Sequence, residues 1–221
     1  MNALDQVPPD FLHALGTLRK AQCRRELRLA EIPAPARLAP FAVALGAEVM
    51  APGGGAPTTP VHGPAAMALA AAAGSDDSDT ELATGRFILL HDPEGSAVWG
   101  GEFRIVTYIR AELEPDMGND EMLGTVAWTW LVEALENHKA PYRAAGGTAT
   151  RVLSESFGTL SDRPGSIDIE LRASWTPETA DVTAHLEAWS DMVCTFAGLP
   201  PLPDGVTPLP QRRRGQQGGR G

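Results

Sequence analysis

Seven residues in two alternating segments hold most of the chemistry this chain can offer. In Val98–Leu113 the side chains of Arg104, Tyr108, Arg110 and Glu112 fall at even positions, and in Ser166–Trp175 Asp168, Glu170 and Arg172 do the same. A period of two puts each set on one face of a β-strand. Guanidinium groups bind carboxylates through two parallel hydrogen bonds. Arg104, Tyr108, Arg110, Glu112, Glu170 and Arg172 therefore form a candidate binding face. The same residues also fit a solvated ladder of cross-strand charge pairs, each contributing about 0.2–1 kcal/mol. A third reading makes Glu112 and Glu170, beside Arg104, Arg110 and Arg172, the acid–base set of an enzyme acting on a small acidic substrate. That reading requires a concave pocket in which a carboxylate is perturbed.

Other chemistry is thinly represented. The chain lacks the GxSxG, GxGxxG, GxxxxGK[ST] and HExxH patterns. His13, His62, His91, His138 and His185 are scattered without ligand spacing, and His185 lies beside an apolar helical stripe, as a structural residue would. Ser154-Glu155-Ser156 has no histidine near it in sequence. Asp76, Asp77 and Asp79 suggest calcium, but the sixth and twelfth positions counted from Asp76 are Glu81 and Phe87 instead of the Gly and Glu that an EF-hand loop needs. Cys23 and Cys194 form no CxxC and read as reduced thiols. We therefore expect no catalytic, cofactor or metal residue, and a protein that is not an enzyme.

The elements that must position the candidate face follow from periodicity. A helix is expected over Pro9–Glu26, a short strand over Leu27–Ile32, and a second helix from Ala36 to Met50. Phe87–Leu90 and Val98–Leu113 should form a hairpin turned at His91–Gly95, with Phe103, Ile105, Thr107, Ile109, Ala111 and Leu113 on the core face. After a turn at Glu114-Pro115-Asp116, a helix is expected over Asp120–His138, capped by Asn119 or Asp116. Its apolar residues Met122, Leu123, Val126, Trp130, Leu131 and Ala134, widened by Trp128, Val132 and Leu135, leave only a narrow polar stripe. Such a helix should be covered on more than one side. A second hairpin is expected from Thr148–Phe157 and Ser166–Trp175, turned at Asp162–Gly165. A last helix, Thr179–Ala197, should bury Val182, Leu186, Trp189, Val193 and Phe196 and end at Gly198.

The fold class this predicts is α+β: an antiparallel sheet of two β-hairpins with helices packed on one face. Arg110-Ala111-x-x-x-Pro115 recurs as Arg172-Ala173-x-x-x-Pro177, and Ala127-Trp128 as Ala188-Trp189. These echoes fit an internal ββα duplication, and they also fit coincidence in a chain rich in alanine and arginine. Four segments are expected: an N-terminal arm (1–50), a Gly/Pro/Ala-rich and acidic linker (51–84), the main body (85–200), and a Pro-rich segment with an Arg/Gly tail (201–221).

Composition narrows the function classes. With 43% hydrophobic and 21% charged residues the 221-residue chain is globular in character. The net charge is −10, and the tail Gln211–Gly221 holds four arginines and no acid, leaving 14 basic against 28 acidic residues elsewhere. A body that acidic repels phosphate backbones, so nucleic acid is an unlikely partner except weakly, through the tail. The N-terminus has no charged-then-apolar leader pattern, and no apolar run reaches the ~18 residues of a membrane span. A cytoplasmic protein without membrane contact is expected.

At RLAEIPAPARLAP (Arg28–Pro40), WGGEFRIVTYIRAELEP (Trp99–Pro115), GGTATRVLSESFG (Gly146–Gly158), RASWTP (Arg172–Pro177) and HLEAWSDMVCTFAGLPP (His185–Pro201) the chain resembles an actinobacterial family, domain of unknown function number 3000. The resemblance implies an actinobacterial cytosolic protein and carries no activity, cofactor or catalytic residue. The layout helix, hairpin, helix, hairpin, helix is also similar to that of type III secretion chaperones and YbjN-like proteins, which bind other proteins. The functional expectation is thus a non-catalytic, chaperone- or adaptor-like module that binds a protein partner or pairs as a homodimer through the helix at Asp120–His138. The alternatives are the carboxylate enzyme above and an RNA-associated protein acting through its tail.

Overall fold

The computed structural model of the protein describes residues 7–51, 81–113 and 120–201. In chain order the elements are α1 (Pro9–Leu18), β1 (Leu27–Ile32), β2 (Phe41–Met50), β3 (Glu81–Ser96), β4 (Gly101–Leu113), α2 (Leu123–Asn137), β5 (Tyr142–Ser154), β6 (Ser166–Pro177) and α3 (Thr183–Phe196). The strands form one sheet in the order β1-β2-β3-β4-β6-β5, and every neighbouring pair is antiparallel. The α+β class and the antiparallel sheet are as the sequence predicts. The sheet is larger, however, because β1 and β2 extend it beyond the two hairpins β3–β4 and β5–β6.

β2 overturns the helix expected at Ala36–Met50. Alanines at 42, 44 and 47 give that stretch a helical look, but Val43, Leu45, Ala47 and Val49 alternate with a strand's period. Pairing on both sides, with β1 and with β3, outweighs the weak intrinsic preference of alanine. α1 also stops earlier than expected, at Leu18 instead of Glu26. Beyond it the backbone is captured by α3: the Gln22 N–H donates to Glu187 at 2.8 Å and the Arg24 N–H to Ser190 Oγ at 2.9 Å. β3 begins at Glu81, so residues 81–84 belong to the sheet. It also runs through His91–Gly95, where a turn was expected, as an irregular, bulged extension. The turn comes later and is closed by the N–H groups of Trp99 and Gly100 on the Ser96 carbonyl, with Gly100 at φ +67°. The turn at 114–116, the Asp116 and Asn119 caps, the Arg/Gly tail and most of the linker lie outside the described residues.

The helices cover one face. Phe103, Ile105, Thr107, Ile109 and Ala111 of β4 and Ile169, Leu171, Ala173 and Trp175 of β6 are buried beneath them, as the alternation requires. α3 runs against β3 and β4 and buries the whole expected stripe Val182, Leu186, Trp189, Val193 and Phe196. Its end at Gly198 is a Schellman arrangement: Leu199 N–H bonds to the Cys194 carbonyl and Gly198 N–H to that of Thr195, with Gly198 at φ +74°. Trp189 is the centrepiece of the core. Its indole donates to Thr107 Oγ1 at 2.6 Å, and its ring meets Phe87 edge-on at 5.5 Å. Gly85 makes room for it, since a Cβ there would lie 2.7 Å from the Trp189 ring.

α2 lies alongside α3 and over β5, with Trp130 against Phe196 in a T-shaped contact at 5.4 Å. The apolar residues beyond its buried stripe (Leu123, Ala127, Leu131, Leu135) are thereby half covered within the same chain. No side-chain cap closes its start; the Met122 N–H is taken by Asp120 Oδ1 at 2.8 Å.

Candidate functional site

Among the described residues no helix covers the other face of the sheet, and the six candidate residues lie there together. Register places them in rows. Arg86, Tyr108 and Arg172 are directly opposite one another on β3, β4 and β6. In the next row Arg28, Glu48, Thr84, Arg110 and Glu170 run from β1 to β6 with alternating sign. Glu112 stands opposite Asp168. Arg86, Arg28 and Glu48 are members of this face that the sequence reading left out. The signal for Arg86 was available: it lies one residue before Phe87, and alternation puts it outward once the strand is extended.

The side chains form a connected set. Tyr108 donates its hydroxyl to Glu170 Oε1 at 2.9 Å, while Arg172 donates to Oε2 at 2.6 Å and lies 5.3 Å over the Tyr108 ring. Burial, and then the bond to Glu170, push the phenol above its ordinary pKa, so it stays a donor. Arg110 donates to Asp168 Oδ2 at 2.8 Å. Asp168 was expected to face outward. It does lie on this face, but only 8% of its side chain is exposed, whereas Arg110 is 52% exposed. Arg110 thus covers its own counter-ion. The hydrogen bond to Asp168 raises the pKa of this guanidinium further.

Arg104 behaves differently. It donates to the Ala144 carbonyl at 2.8 Å, Thr176 Oγ1 at 3.0 Å and Ser174 Oγ at 2.6 Å, and so fastens β4 to β6 and β5. Its role is structural, although it shares a face with the others. One concavity on this face is a polar pocket of about 140 Å³ lined by Glu81, Thr84, Arg110, Glu112 and Asp168 among others. Glu81 is raised above its ordinary pKa by burial first and by Glu48 second, with Arg110 opposing.

A second polar cluster, not foreseen from the sequence, borders α3. His138 Nε2 pairs with Asp191 at 2.7 Å, and its Nδ1 lies 3.8 Å from Glu187. The hydrogen bond to Asp191 raises the imidazole's pKa, with burial opposing it. Cys23 and Cys194 lie nearby with thiols pushed up to about 11 and about 12, in both cases chiefly by burial. At neutral pH they are protonated, which leaves them poor nucleophiles and poor ligands. Arg24, 4% exposed, is closed off by Glu26 at 2.9 Å and by the Pro200 carbonyl at 2.8 Å. His185, expected from its place beside an apolar stripe to be structural, is buried and accepts the Trp175 indole N–H at 3.1 Å on Nδ1. Among the described residues no group of three His, Cys, Asp or Glu is placed to hold a metal ion, and no helix is long and apolar enough to cross a membrane.

Comparison with known proteins agrees with the resemblance read from the sequence. No curated protein and no solved structure matches the chain. One family model does, over residues 7–207, which takes in every strand and helix of the described residues. The chain belongs to the family described as protein of unknown function (DUF3000).

Proposed function

We propose that the protein is a non-catalytic binding module and that the uncovered sheet face receives a carboxylate-bearing segment of a protein partner. The observation that carries this reading is the row Arg86–Tyr108–Arg172 with Arg110 beside it. These are exposed arginines on a rigid sheet, on a face that no element of the described chain covers. Strands hold side chains at fixed spacing, so the ordering cost of binding is smaller than for a loop. Arg110 and Arg172, 52% and 55% exposed, each spend one nitrogen on an internal carboxylate and keep further N–H donors for a ligand. In a molecule with a net charge of −10, a surface of alternating sign repels an acidic partner less than the acidic body as a whole.

Binding is favoured over catalysis by the state of Glu170, one of the two carboxylates of the enzyme reading, and of Asp168 beside it; the other, Glu112, is exposed and lines the small pocket. Both oxygens of Glu170 are held, one by Tyr108 and one by Arg172, and Asp168 is capped by Arg110. A general base needs a free oxygen within reach of a proton on its substrate. The 140 Å³ pocket beside them falls short of the ~300 Å³ typical of small-molecule sites.

The test is capture by cross-linking from a lysate of the source cells, comparing wild type with the Arg86/Arg110/Arg172 triple alanine variant. Arg104 is left in place because its three hydrogen bonds join strands. A partner cross-linked to wild type and lost from the variant, with circular dichroism unchanged, supports the reading. An identical set of cross-linked species from both proteins would overturn it.

A further inference from the structure

The two edges of the sheet are finished differently. β1 is six residues long, carries Arg28 and Glu31, and runs into Pro33 and Pro35, which blunts that edge against further pairing. β5 is thirteen residues long, and nearly all of it is exposed. A bulge between Arg143 and Gly146, with Ala144 at φ +52°, interrupts its first part. From Gly146 to Ser154 the register with β6 is regular, and the sequence GGTATRVLS contains one charge and no proline. A bare edge of this kind is a template for another strand.

Two further features lie on the helix side of the same strand, one at each end. At the start, Gly147, Thr148 and Ala149 floor an open groove of about 420 Å³ whose other lining residues are Leu171 of β6, Glu121, and Gly124, Thr125 and Trp128 of α2. Near the end, Leu153 is paired with Ile167, stands on the same side of the sheet as Gly147 and Ala149, and is 64% exposed. A groove over two small residues and an unburied leucine thus share one strand, about six residues apart.

We propose that β5 pairs antiparallel with β5 of a second copy, about a two-fold axis perpendicular to the sheet at Thr150, so that Leu153 of each copy fills the groove beside Trp128 of the other. Antiparallel pairing about such an axis keeps both helix layers on one side and is isologous, as closed dimers require. With Thr150 at the centre, Leu153 of one copy is opposite Gly147 of the other, Val152 is opposite Thr148, and Ser154 is opposite Gly146. Thr150 then faces its own symmetry mate, a Thr–Thr pair of the kind that stabilises sheets, and Leu153 faces a glycine, over which its side chain can reach the groove. Neighbouring registers are worse. Centring on Arg151 brings two Arg151 residues, each already bonded to an Asp120 carbonyl at 3.1 Å, opposite one another. Centring on Ala149 sends Leu153 to Ala145, inside the bulge and away from the groove. A shift by a single residue would reverse the faces of one copy. The result is a continuous twelve-stranded sheet whose open face doubles in extent. This inference does not depend on the binding role of that face.

The experiment is sedimentation equilibrium of the full chain from micromolar to millimolar concentration. The wild type should show a monomer–dimer equilibrium. Leu153→Asp and Thr125→Trp, at an exposed leucine and an exposed helical position, should each weaken it at least tenfold. Because Thr150 meets its own symmetry mate, Thr150→Cys should form an interchain disulfide under mild air oxidation, and Thr148→Cys should not. A single-chain mass for wild type at every concentration would overturn the proposal. So would a dimer indifferent to both Leu153→Asp and Thr125→Trp, or one in which Thr148→Cys cross-links as well as Thr150→Cys. Circular dichroism of each variant separates loss of dimer from loss of fold.

Discussion

The two hairpin–helix units, β3–β4–α2 and β5–β6–α3, have similar local patterns and different surroundings. Their strands β4 and β6 lie side by side at the middle of the sheet, with Ile109 opposite Leu171. The outer strand β3 of the first unit is sheltered by β2, whereas no strand of the described residues pairs with the outer side of β5 in the second. The helices differ in the opposite sense. α3 buries nine residues against the centre of the sheet, and α2, over the β5 side, buries four. The echoed tryptophans separate accordingly: Trp189 is 1% exposed and hydrogen-bonded to Thr107, while Trp128 is half-buried and forms one wall of the groove at the β5 edge. Similar text thus acquires its role from its neighbours. The unit with the covered strand has the looser helix, and the unit with the core helix has the open edge.

The largest test of this contrast is a pair of truncations. Trp189→Ala removes the central core side chain, leaves Thr107 short of a donor, and should cost about 3–5 kcal/mol in urea unfolding. Trp128→Ala vacates a site already half open and should cost no more than about 1–2 kcal/mol. Equal losses would mean that the two helices contribute alike and that the contrast is superficial.

The histidines sharpen the comparison through pH, because one sits in each helical region and they shift in opposite directions. Burial depresses His185 to a pKa of about 4, with Asp181 and the Pro141 carbonyl only partly offsetting it, and protonating Nδ1 would break its bond from Trp175. With an unfolded value near 6.5, the unfolded chain binds the extra proton first as the pH falls. Stability from this residue is therefore complete above about pH 6.5 and is lost as the pH drops toward 4, by at most about 3 kcal/mol. His138, raised by Asp191, has the reverse sign: its contribution is complete below about pH 6.5 and fades as the pH climbs through the raised value. In unfolding midpoints measured across pH 4–9, His185→Gln should flatten the acid limb and His138→Gln the alkaline one. If His138→Gln instead altered the acid limb, the pairing with Asp191 would not hold in solution.

What could be read from the sequence follows the same division. Strand faces on β4 and β6 were legible because both are long, central and half-covered, so each second residue is apolar. The stripe and end of α3 were legible for the matching reason in helical period. β2 was not, because alanine and glycine contribute little to either period and its strand state depends on pairing with β1 and with β3, the latter beginning at Glu81, distant in sequence. On the candidate face the six residues were found by alternation alone. That Arg104 stitches strands, that Asp168 is covered, and that Arg86 belongs with Tyr108 depend on register between strands 20 to 70 residues apart, which no local pattern encodes.

The smallest effects concern the ion pairs where the two units meet. Arg110 reaches across from β4 to the covered carboxylate of Asp168, while Arg172 holds Glu170 two residues away on its own strand. Both arginines are more than half exposed, so solvent screening keeps each pair within about 1 kcal/mol. The partners differ in a way that ranks them. Without Arg110, Asp168 is left nearly buried with no cation in contact; without Arg172, Glu170 keeps its hydrogen bond from Tyr108. Arg110→Ala should therefore cost several tenths of a kcal/mol more than Arg172→Ala. Adding Asp168→Ala to Arg110→Ala should recover part of that loss, because the unpaired carboxylate disappears with it. Urea midpoints of the two single variants and the double variant decide the matter. A double variant less stable than Arg110→Ala by the full cost of Asp168→Ala would show the two residues to be independent, and the covered carboxylate would then owe nothing to the arginine above it.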